Sequence, residues 1–68
     1  MKTAKTIGKN LKDSRKIKGL TQTQVAKILG MSQQQYSRYE TGKFELDYDL
    51  ILKLCKLYEI SPNELFEI

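Results

Sequence analysis

Apolar side chains recur at helical spacing along most of the chain, and no β-branched run alternates with polar residues as in a half-buried strand. In the first segment, about Thr3 to Lys18, Ile7 and Leu11 begin an apolar stripe, and Gly19 ends the segment after a lysine-rich last turn. Arg15 continues this stripe, so a charged side chain occupies a position where an apolar one is expected. The pattern predicts an all-α protein whose first helix contains one charged position that needs a partner.

Two capping signals open the second and third predicted helices. Thr21 is followed three residues later by Gln24, and Ser32 is followed in the same way by Gln35, which are both capping-box patterns. The second helix ends at Gly30, because glycine adopts the left-handed conformation that a tight turn needs. Only three residues then separate the two short helices, so they must cross steeply, as in a helix-turn-helix.

Two further helices follow in the last third of the chain. Asp47 is a good N-cap for a fourth helix that runs to about Tyr58. Apolar residues cover more than half of this helix, which predicts a central position in the domain. Ser61 and Glu64 form a third capping box around Pro62, which suits the first position of a fifth helix. The sequence therefore predicts one all-α domain of five helices over residues 1–68, with the helix-turn-helix formed by helices 2 and 3.

The apolar residues at the C-terminal end have two readings of equal weight. They form a surface for a second copy of the chain, or they close the core of the monomer. The residues concerned are Tyr58, Leu65, Phe66 and Ile68.

Charge is distributed unevenly along the chain. The net charge is +4 and the isoelectric point is about 9.3. Residues 44–68 hold two basic and six acidic side chains, whereas residues 1–19 hold seven basic side chains and one acidic one, Asp13. Such a gradient suits a basic face toward a polyanion and an acidic face turned away, although solvated lysines explain the first helix equally well. The seven basic residues are Lys2, Lys5, Lys9, Lys12, Arg15, Lys16 and Lys18.

Composition excludes several classes of function. One cysteine and no histidine rule out a disulfide within the chain and argue against a zinc site and a histidine general base. Cys55 lies on the apolar face of the fourth helix, which predicts a buried, inert thiol. No apolar run has the length of a signal peptide or a membrane span. We therefore expect a soluble cytoplasmic protein that is not an enzyme and has no cofactor, metal or small-molecule ligand.

Residues 20–42 resemble the helix-turn-helix of the lambda-repressor-like (Xre/Cro-type) family, and the similarity extends from about Ile7 to Phe66. The family's apolar, small and turn positions are matched at fixed spacing, and Glu40, Thr41 and Gly42 match the usual end of its recognition helix. Tyr36 departs from the family, which carries an aliphatic residue there; its ring is expected to be buried, with its hydroxyl at the edge or near the DNA backbone. The matched motif positions are Val25, Ala26, Leu29, Gly30, Met31, Tyr36 and Tyr39.

The third helix is the predicted reader of DNA. At 100° per residue, Gln34, Ser37 and Arg38 point away from its buried side, and Gln33 lies at the tip that enters the major groove in this docking mode. Glutamine can pair with adenine and arginine with guanine, so Gln33, Gln34, Ser37 and Arg38 are predicted to contact bases.

The resemblance implies roles for residues around that helix. It implies a phosphate contact at Gln22, where helix N–H groups also favour an anion. Thr23, Lys43 and the lysines of the first helix are weaker candidates for phosphate contacts. It also implies an ion pair between Arg15 and Glu40, which we interpret as structural.

The predicted function is a sequence-specific regulator of transcription, a repressor of bacterial or phage type, that binds double-stranded DNA as a homodimer on an inverted repeat. The alternative is a protein-interaction module, such as an antitoxin-like or adaptor domain, in which the basic face is incidental.

Overall fold

The computed structural model describes residues 3–68, so Lys2, which was counted in the basic N-terminal part, lies outside the described residues. Five helices make up this part of the chain, and it contains no strand, which confirms the all-α prediction. No helix within residues 3–68 is both long enough and apolar enough to cross a membrane. The helices are α1 Ala4–Ile17, α2 Gln22–Leu29, α3 Gln33–Glu40, α4 Tyr48–Tyr58 and α5 Pro62–Phe66.

The helices begin where the capping residues predict. The side chains of Thr21 and Ser61 each accept a hydrogen bond from a backbone N–H of the first turn, and both capping boxes are complete. Asp47 accepts from the backbone N–H of Leu50 at 2.8 Å. The prediction of a capping box at the start of α3 is wrong for one of its two hydrogen bonds. Ser32 accepts from the backbone N–H of Gln35 at 3.1 Å, but the Gln35 side chain does not accept from the backbone N–H of Ser32.

A left-handed glycine makes the short turn between α2 and α3. Gly30 has a φ of 73°, and the backbone N–H of Met31 donates to the carbonyl of Ala26 at 2.9 Å. This bond and those from the backbone N–H of Gly30 satisfy the last carbonyls of α2, and the chain changes direction at Gly30. The chain can therefore start α3 at Gln33, with only three residues between the two helices.

Each helix contributes one fully buried side chain to a single core. A second layer of buried residues includes Cys55 and Tyr58 on α4. Burial raises the pKa of the Cys55 thiol, which agrees with the predicted inert role. The five fully buried side chains are Leu11, Val25, Tyr36, Leu54 and Leu65.

This core decides between the two readings for two of the four C-terminal apolar residues. Tyr58 and Leu65 close the monomer's own core, so their assignment to a dimer surface is wrong. Phe66 is half-buried and packs against the core, whereas Ile68 is 77% exposed.

Helices α1 and α3 approach unusually closely at Gly8. A Cβ atom at this position would lie 2.4 Å from the carbonyl oxygen of Glu40 and 2.6 Å from that of Tyr39. Only glycine leaves room for the C-terminal end of α3 against α1. Gly8 therefore sets the distance at which α3 lies on the rest of the domain.

Candidate nucleic-acid interface

The outer face of α3 carries a shallow polar groove of about 300 Å³. The structure brings all four predicted base-contacting residues together in this groove, because positions three and four apart share one face of a helix. Lys43, a predicted phosphate contact, lies at the same groove just beyond the end of α3. The lining residues are Gln33, Gln34, Ser37, Arg38, Thr41 and Lys43.

The loop after α3 folds back under Arg38. The backbone N–H groups of Lys43 and Phe44 both donate to the carbonyl of Arg38, at 2.9 and 3.2 Å. The Arg38 guanidinium carbon lies 5.5 Å from the centre of the Phe44 ring, and that ring meets Tyr39 edge-on with centroids 5.6 Å apart. Phe44 thus supports Arg38 through a cation–π contact. Sequence reasoning missed this residue, since only the folded loop brings it to the arginine.

At the other end of α3, Gln33 is held by Gln22. The Gln33 amide nitrogen donates to the Gln22 side-chain oxygen at 2.6 Å, and the Gln22 amide nitrogen donates to Oε1 of Glu40 at 2.9 Å. The side chain of Gln22 is therefore engaged within the protein at both its oxygen and its nitrogen. One amide hydrogen of Gln22 and its backbone N–H remain for any external partner.

Arg15 and Glu40 form a buried ion pair between α1 and α3. Arg15 donates from Nε to Oε2 at 2.7 Å and from Nη2 to Oε1 at 3.2 Å, and the two residues are 9% and 6% exposed. Nη1 of Arg15 also donates to the carbonyl of Leu20, just before α2, at 2.9 Å. One guanidinium therefore joins α1, the loop before α2 and the end of α3, and this explains the charge on the apolar stripe.

The expectation for the Tyr36 hydroxyl is wrong. The hydroxyl is buried with its ring, and it lies 2.5 Å from the hydroxyl of Tyr58 on α4. Each hydroxyl can donate or accept, so the two tyrosines satisfy each other inside the core. A polar partner inside the core thus replaces the expected position at the edge or at the DNA.

The buried polar groups have shifted pKa values. Burial acts to raise the pKa of Glu40, but hydrogen bonds from Arg15 and Gln22 outweigh it and hold the pKa below its ordinary value of 4.5. Burial is also the main cause that raises the pKa of Tyr58 to about 12. At neutral pH the cluster therefore contains an ionised carboxylate and neutral tyrosines.

The N-terminal end of α2 is open to solvent beside this cluster. Thr21 caps the helix by accepting from the backbone N–H of Gln24 at 3.1 Å, and Thr23 is exposed at the second helical position. The first N–H groups of a helix point outward and attract anions. The predicted phosphate contacts Gln22 and Thr23 thus lie together at the start of α2.

Basic residues of α1 and of its C-terminal cap are paired on the protein surface. Lys9 donates to Asp13 at 2.9 Å, and Lys18 forms an ion pair with Glu59, the residue that follows α4. Exposed pairs of this kind contribute little to stability. Their charges are partly balanced within the protein, so the charge of α1 is less concentrated than the sequence suggested.

Comparison with known proteins gives one family. A helix-turn-helix family model matches residues 11–65. Among solved structures, the restriction-modification controller protein C.AhdI from Aeromonas hydrophila superposes with a TM-score of 0.82 at 32% identity, over 93% of this chain and 96% of that one.

Relatives of similar sequence carry regulatory names. The ImmF control region 10 kDa protein of Bacillus phage phi105 is 35% identical over 65 residues, which cover 96% of this chain and 72% of that protein. The HTH-type transcriptional regulator ImmR of Bacillus subtilis is 37% identical over 60 residues, 88% of this chain and 47% of that protein. Antitoxin PezA of Streptococcus pneumoniae is 42% identical over 55 residues, 81% of this chain and 35% of that protein. The chain spans from about a third to slightly over half of the length of the first four such relatives.

Proposed function

The chain belongs to the helix-turn-helix family of DNA-binding transcriptional regulators, and on that premise we propose that it is a sequence-specific repressor that acts as a homodimer. The observation that carries the proposal is the groove on α3, where two glutamines, a serine and an arginine line one surface together. Its place of action is the cytoplasm of a bacterial cell, where chromosomal and phage operators are found.

In this proposal α3 enters the major groove with Gln33 at its leading end. Gln33 and Gln34 have the donor and acceptor needed for adenine, and Arg38 has the paired donors needed for guanine. Ser37 donates to or accepts from either base. Each well-made pair discriminates against a wrong base by roughly 1–3 kcal/mol, so a few contacts suffice for selectivity.

Phosphate contacts on both sides of α3 would set its register on the duplex. At the start of α2, Gln22 and Thr23 offer backbone N–H groups, and Gln22 retains one amide hydrogen. Lys43 offers a charged contact at the opposite end of the groove. In this arrangement Arg15 and Glu40 do not touch DNA but hold α3 against α1.

The small size of the reading surface supports the proposal of a dimer. One short helix contacts only a few base pairs, and proteins with this motif bind as dimers to half-sites one helical turn apart. Apolar surface is available for a second copy at Tyr48, Leu52 and Ile68, which are 82%, 56% and 77% exposed. We place the dimer surface on these residues of α4 and the C-terminal end, together with the half-buried Phe66.

A second candidate function is that of a protein-interaction module, since one relative is an antitoxin. Such a protein would use its exposed apolar residues to contact a partner and would have no need of base-reading side chains. The groove on α3 favours the first function. A surface that contacts only solvent does not require four side chains with base-reading donors and acceptors next to one another.

A pair of substitutions distinguishes the two functions. Gln34→Ala combined with Arg38→Ala should abolish specific DNA binding in fluorescence anisotropy while circular dichroism shows an unchanged fold, since both residues are exposed. Gln35→Ala, on the same helix but outside the groove, is the matched control for folding and base selectivity. Unchanged binding and regulation by the double variant would support the interaction module instead.

A further inference from the structure

A directed series of hydrogen bonds connects the core of the domain to the tip of α3. Gln33 donates to Gln22, Gln22 donates to Glu40, and Glu40 is 6% exposed. Every donor in this series points inward, toward the carboxylate. The outer member, Gln33, is the residue proposed to read a base.

The direction of the series follows from the chemistry of Glu40. An ionised carboxylate only accepts hydrogen bonds, so Gln22 must present its amide nitrogen to Glu40 and its oxygen to Gln33. That oxygen in turn requires the amide nitrogen of Gln33. Two hydrogen bonds from Arg15, at 2.7 and 3.2 Å, prevent the carboxylate from turning away. The orientation of an exposed amide is thus decided by a buried charge.

We infer that Glu40 is a specificity-determining positioning residue, which acts through Gln22 to fix the orientation of the Gln33 amide and so selects adenine at the base pair that Gln33 contacts. The inference rests on the proposed function, since it concerns how α3 reads DNA. It gives Glu40 a role beyond its ion pair with Arg15, and it makes Gln22 a positioning residue whether or not it also contacts a phosphate.

The selection follows from the number of donors that Gln33 keeps. An amide has two N–H donors and one acceptor oxygen, and Gln22 occupies one donor. Gln33 then presents one donor and one acceptor, which complement N7 and the N6 amino group of adenine in the major groove. Guanine presents two acceptors, N7 and O6, and it would leave the Gln33 oxygen facing another acceptor.

Replacing Glu40 by glutamine should reverse this preference. In Glu40→Gln the single side-chain oxygen at position 40 accepts a hydrogen bond from Arg15, so the new amide nitrogen faces Gln22. Gln22 must then turn its oxygen inward and its nitrogen outward, and Gln33 must turn its oxygen toward Gln22. Gln33 would present two N–H donors, which suit guanine.

The test measures base preference rather than affinity alone. An operator is first obtained by in vitro selection with the wild-type chain, and Gln33→Ala locates the base pair whose selection depends on Gln33. Binding to four duplexes that differ only at this pair is then measured for the wild type, Gln22→Met and Glu40→Gln. Gln35→Met is the matched control, because the Gln35 side chain forms no hydrogen bond with the described residues.

We expect Gln22→Met to lower the ratio of adenine to guanine affinity by roughly tenfold, the loss of a base-specific hydrogen bond, and to have no such effect when Gln33 is already alanine. Glu40→Gln should shift the preference toward guanine, and Gln35→Met should keep the wild-type ratio. If Glu40→Gln fails to fold, Gln22→Met decides alone, because Gln22 lies outside the core.

Three results would overturn the inference. The first is a loss of affinity in Gln22→Met that is equal for all four bases, as a phosphate contact alone would give. The second is a folded Glu40→Gln variant that keeps the preference for adenine. The third is a wild type that selects no sequence, in which case the proposed function fails together with the inference. If the wild type does select a sequence and Gln22→Met keeps the wild-type ratio of adenine to guanine affinity, only the inference fails.

Discussion

Arg15 and Glu40, which are 25 residues apart in the sequence, meet in a two-point ion pair with N–O distances of 2.7 and 3.2 Å. The pair joins the first helix to the last turn of the helix that carries the candidate DNA-reading groove. Both side chains lie within the domain, and none of the buried polar side-chain atoms in residues 3–68 lacks a hydrogen-bond partner. The groove is therefore fixed on the scaffold by a satisfied polar cluster as well as by apolar packing.

Breaking this pair should severely destabilise the domain. In Arg15→Met the Glu40 carboxylate loses its cationic partner in a buried site, which typically costs about 3–5 kcal/mol of unfolding free energy. Chemical denaturation followed by circular dichroism measures the change. Lys9→Met is the control, since it removes an exposed pair with Asp13 and should have little effect. Equal losses in the two variants would contradict a special role for the buried pair.

Adding a methyl group at Gly8 should also destabilise the domain. In a helix interior, glycine to alanine alone would stabilise by roughly 0.5–1 kcal/mol. The new Cβ would instead lie 2.4 Å from the carbonyl oxygen of Glu40, and overpacking of this kind costs about 1–3 kcal/mol. The sign of the stability change in Gly8→Ala thus tests the close approach of α1 and α3. A gain in stability would show that the two helices are further apart.

Stability should fall in alkaline solution through the buried tyrosines. The pKa of Tyr58 is raised, mainly by burial, to about 12, against an ordinary value of 10.0 in the unfolded chain. The stability that neutral, buried Tyr58 contributes is complete below about pH 10, and it is lost as the pH rises through the pKa of Tyr58 in the folded protein. Urea denaturation at several pH values should show a smaller alkaline loss in Tyr58→Phe than in the wild type. Equal slopes in Tyr58→Phe and the wild type would contradict the prediction.

Phe44 should contribute to DNA binding without touching a base. In Phe44→Ala, Arg38 loses the ring that lies 5.5 Å from its guanidinium carbon, a contact of about 0.5–1 kcal/mol at an exposed site. Affinity for the selected operator should fall roughly two- to fivefold. Phe44→Tyr should keep the affinity, and Phe44→Ala should have no further effect when Arg38 is alanine. If Phe44→Ala lowers the operator affinity by the same factor when Arg38 is alanine, Phe44 does not act through Arg38.

Lys43 should behave differently from the base-reading residues. As a proposed phosphate contact, its replacement in Lys43→Ala should weaken binding about equally on selected and unrelated duplexes. The slope of log affinity against log salt should fall by about one. Titrations at several salt concentrations measure both quantities. An unchanged salt slope, or a loss confined to the selected duplex, would show that Lys43 does not act through a phosphate.

Local signals explain which parts of the fold could be predicted. Thr21, Asp47 and Ser61 mark helix starts because a cap depends on only four neighbouring residues. The grouping of Gln34, Ser37 and Arg38 on one face follows from the helical repeat alone. Arg15 was conspicuous because a charge on an apolar stripe needs a partner, and the family resemblance indicated which residue supplies it.

Features that depend on packing between helices were not predictable in the same way. The hydroxyl contact between Tyr36 and Tyr58 joins two helices that are separated by a loop, and the sequence offered no local sign of it. The position of Phe44 under Arg38 depends on the conformation of that loop. Gly8 did carry a signal, as a glycine inside a helix, but only the structure shows that the end of α3 approaches it.

The central claim, that α3 reads DNA in a dimer, is tested most directly by in vitro selection from a randomised duplex library at about physiological salt, where nonspecific phosphate binding is suppressed. The account predicts enrichment of an inverted repeat whose half-site centres lie about 10 base pairs apart. Failure of the folded protein to enrich any sequence would contradict it.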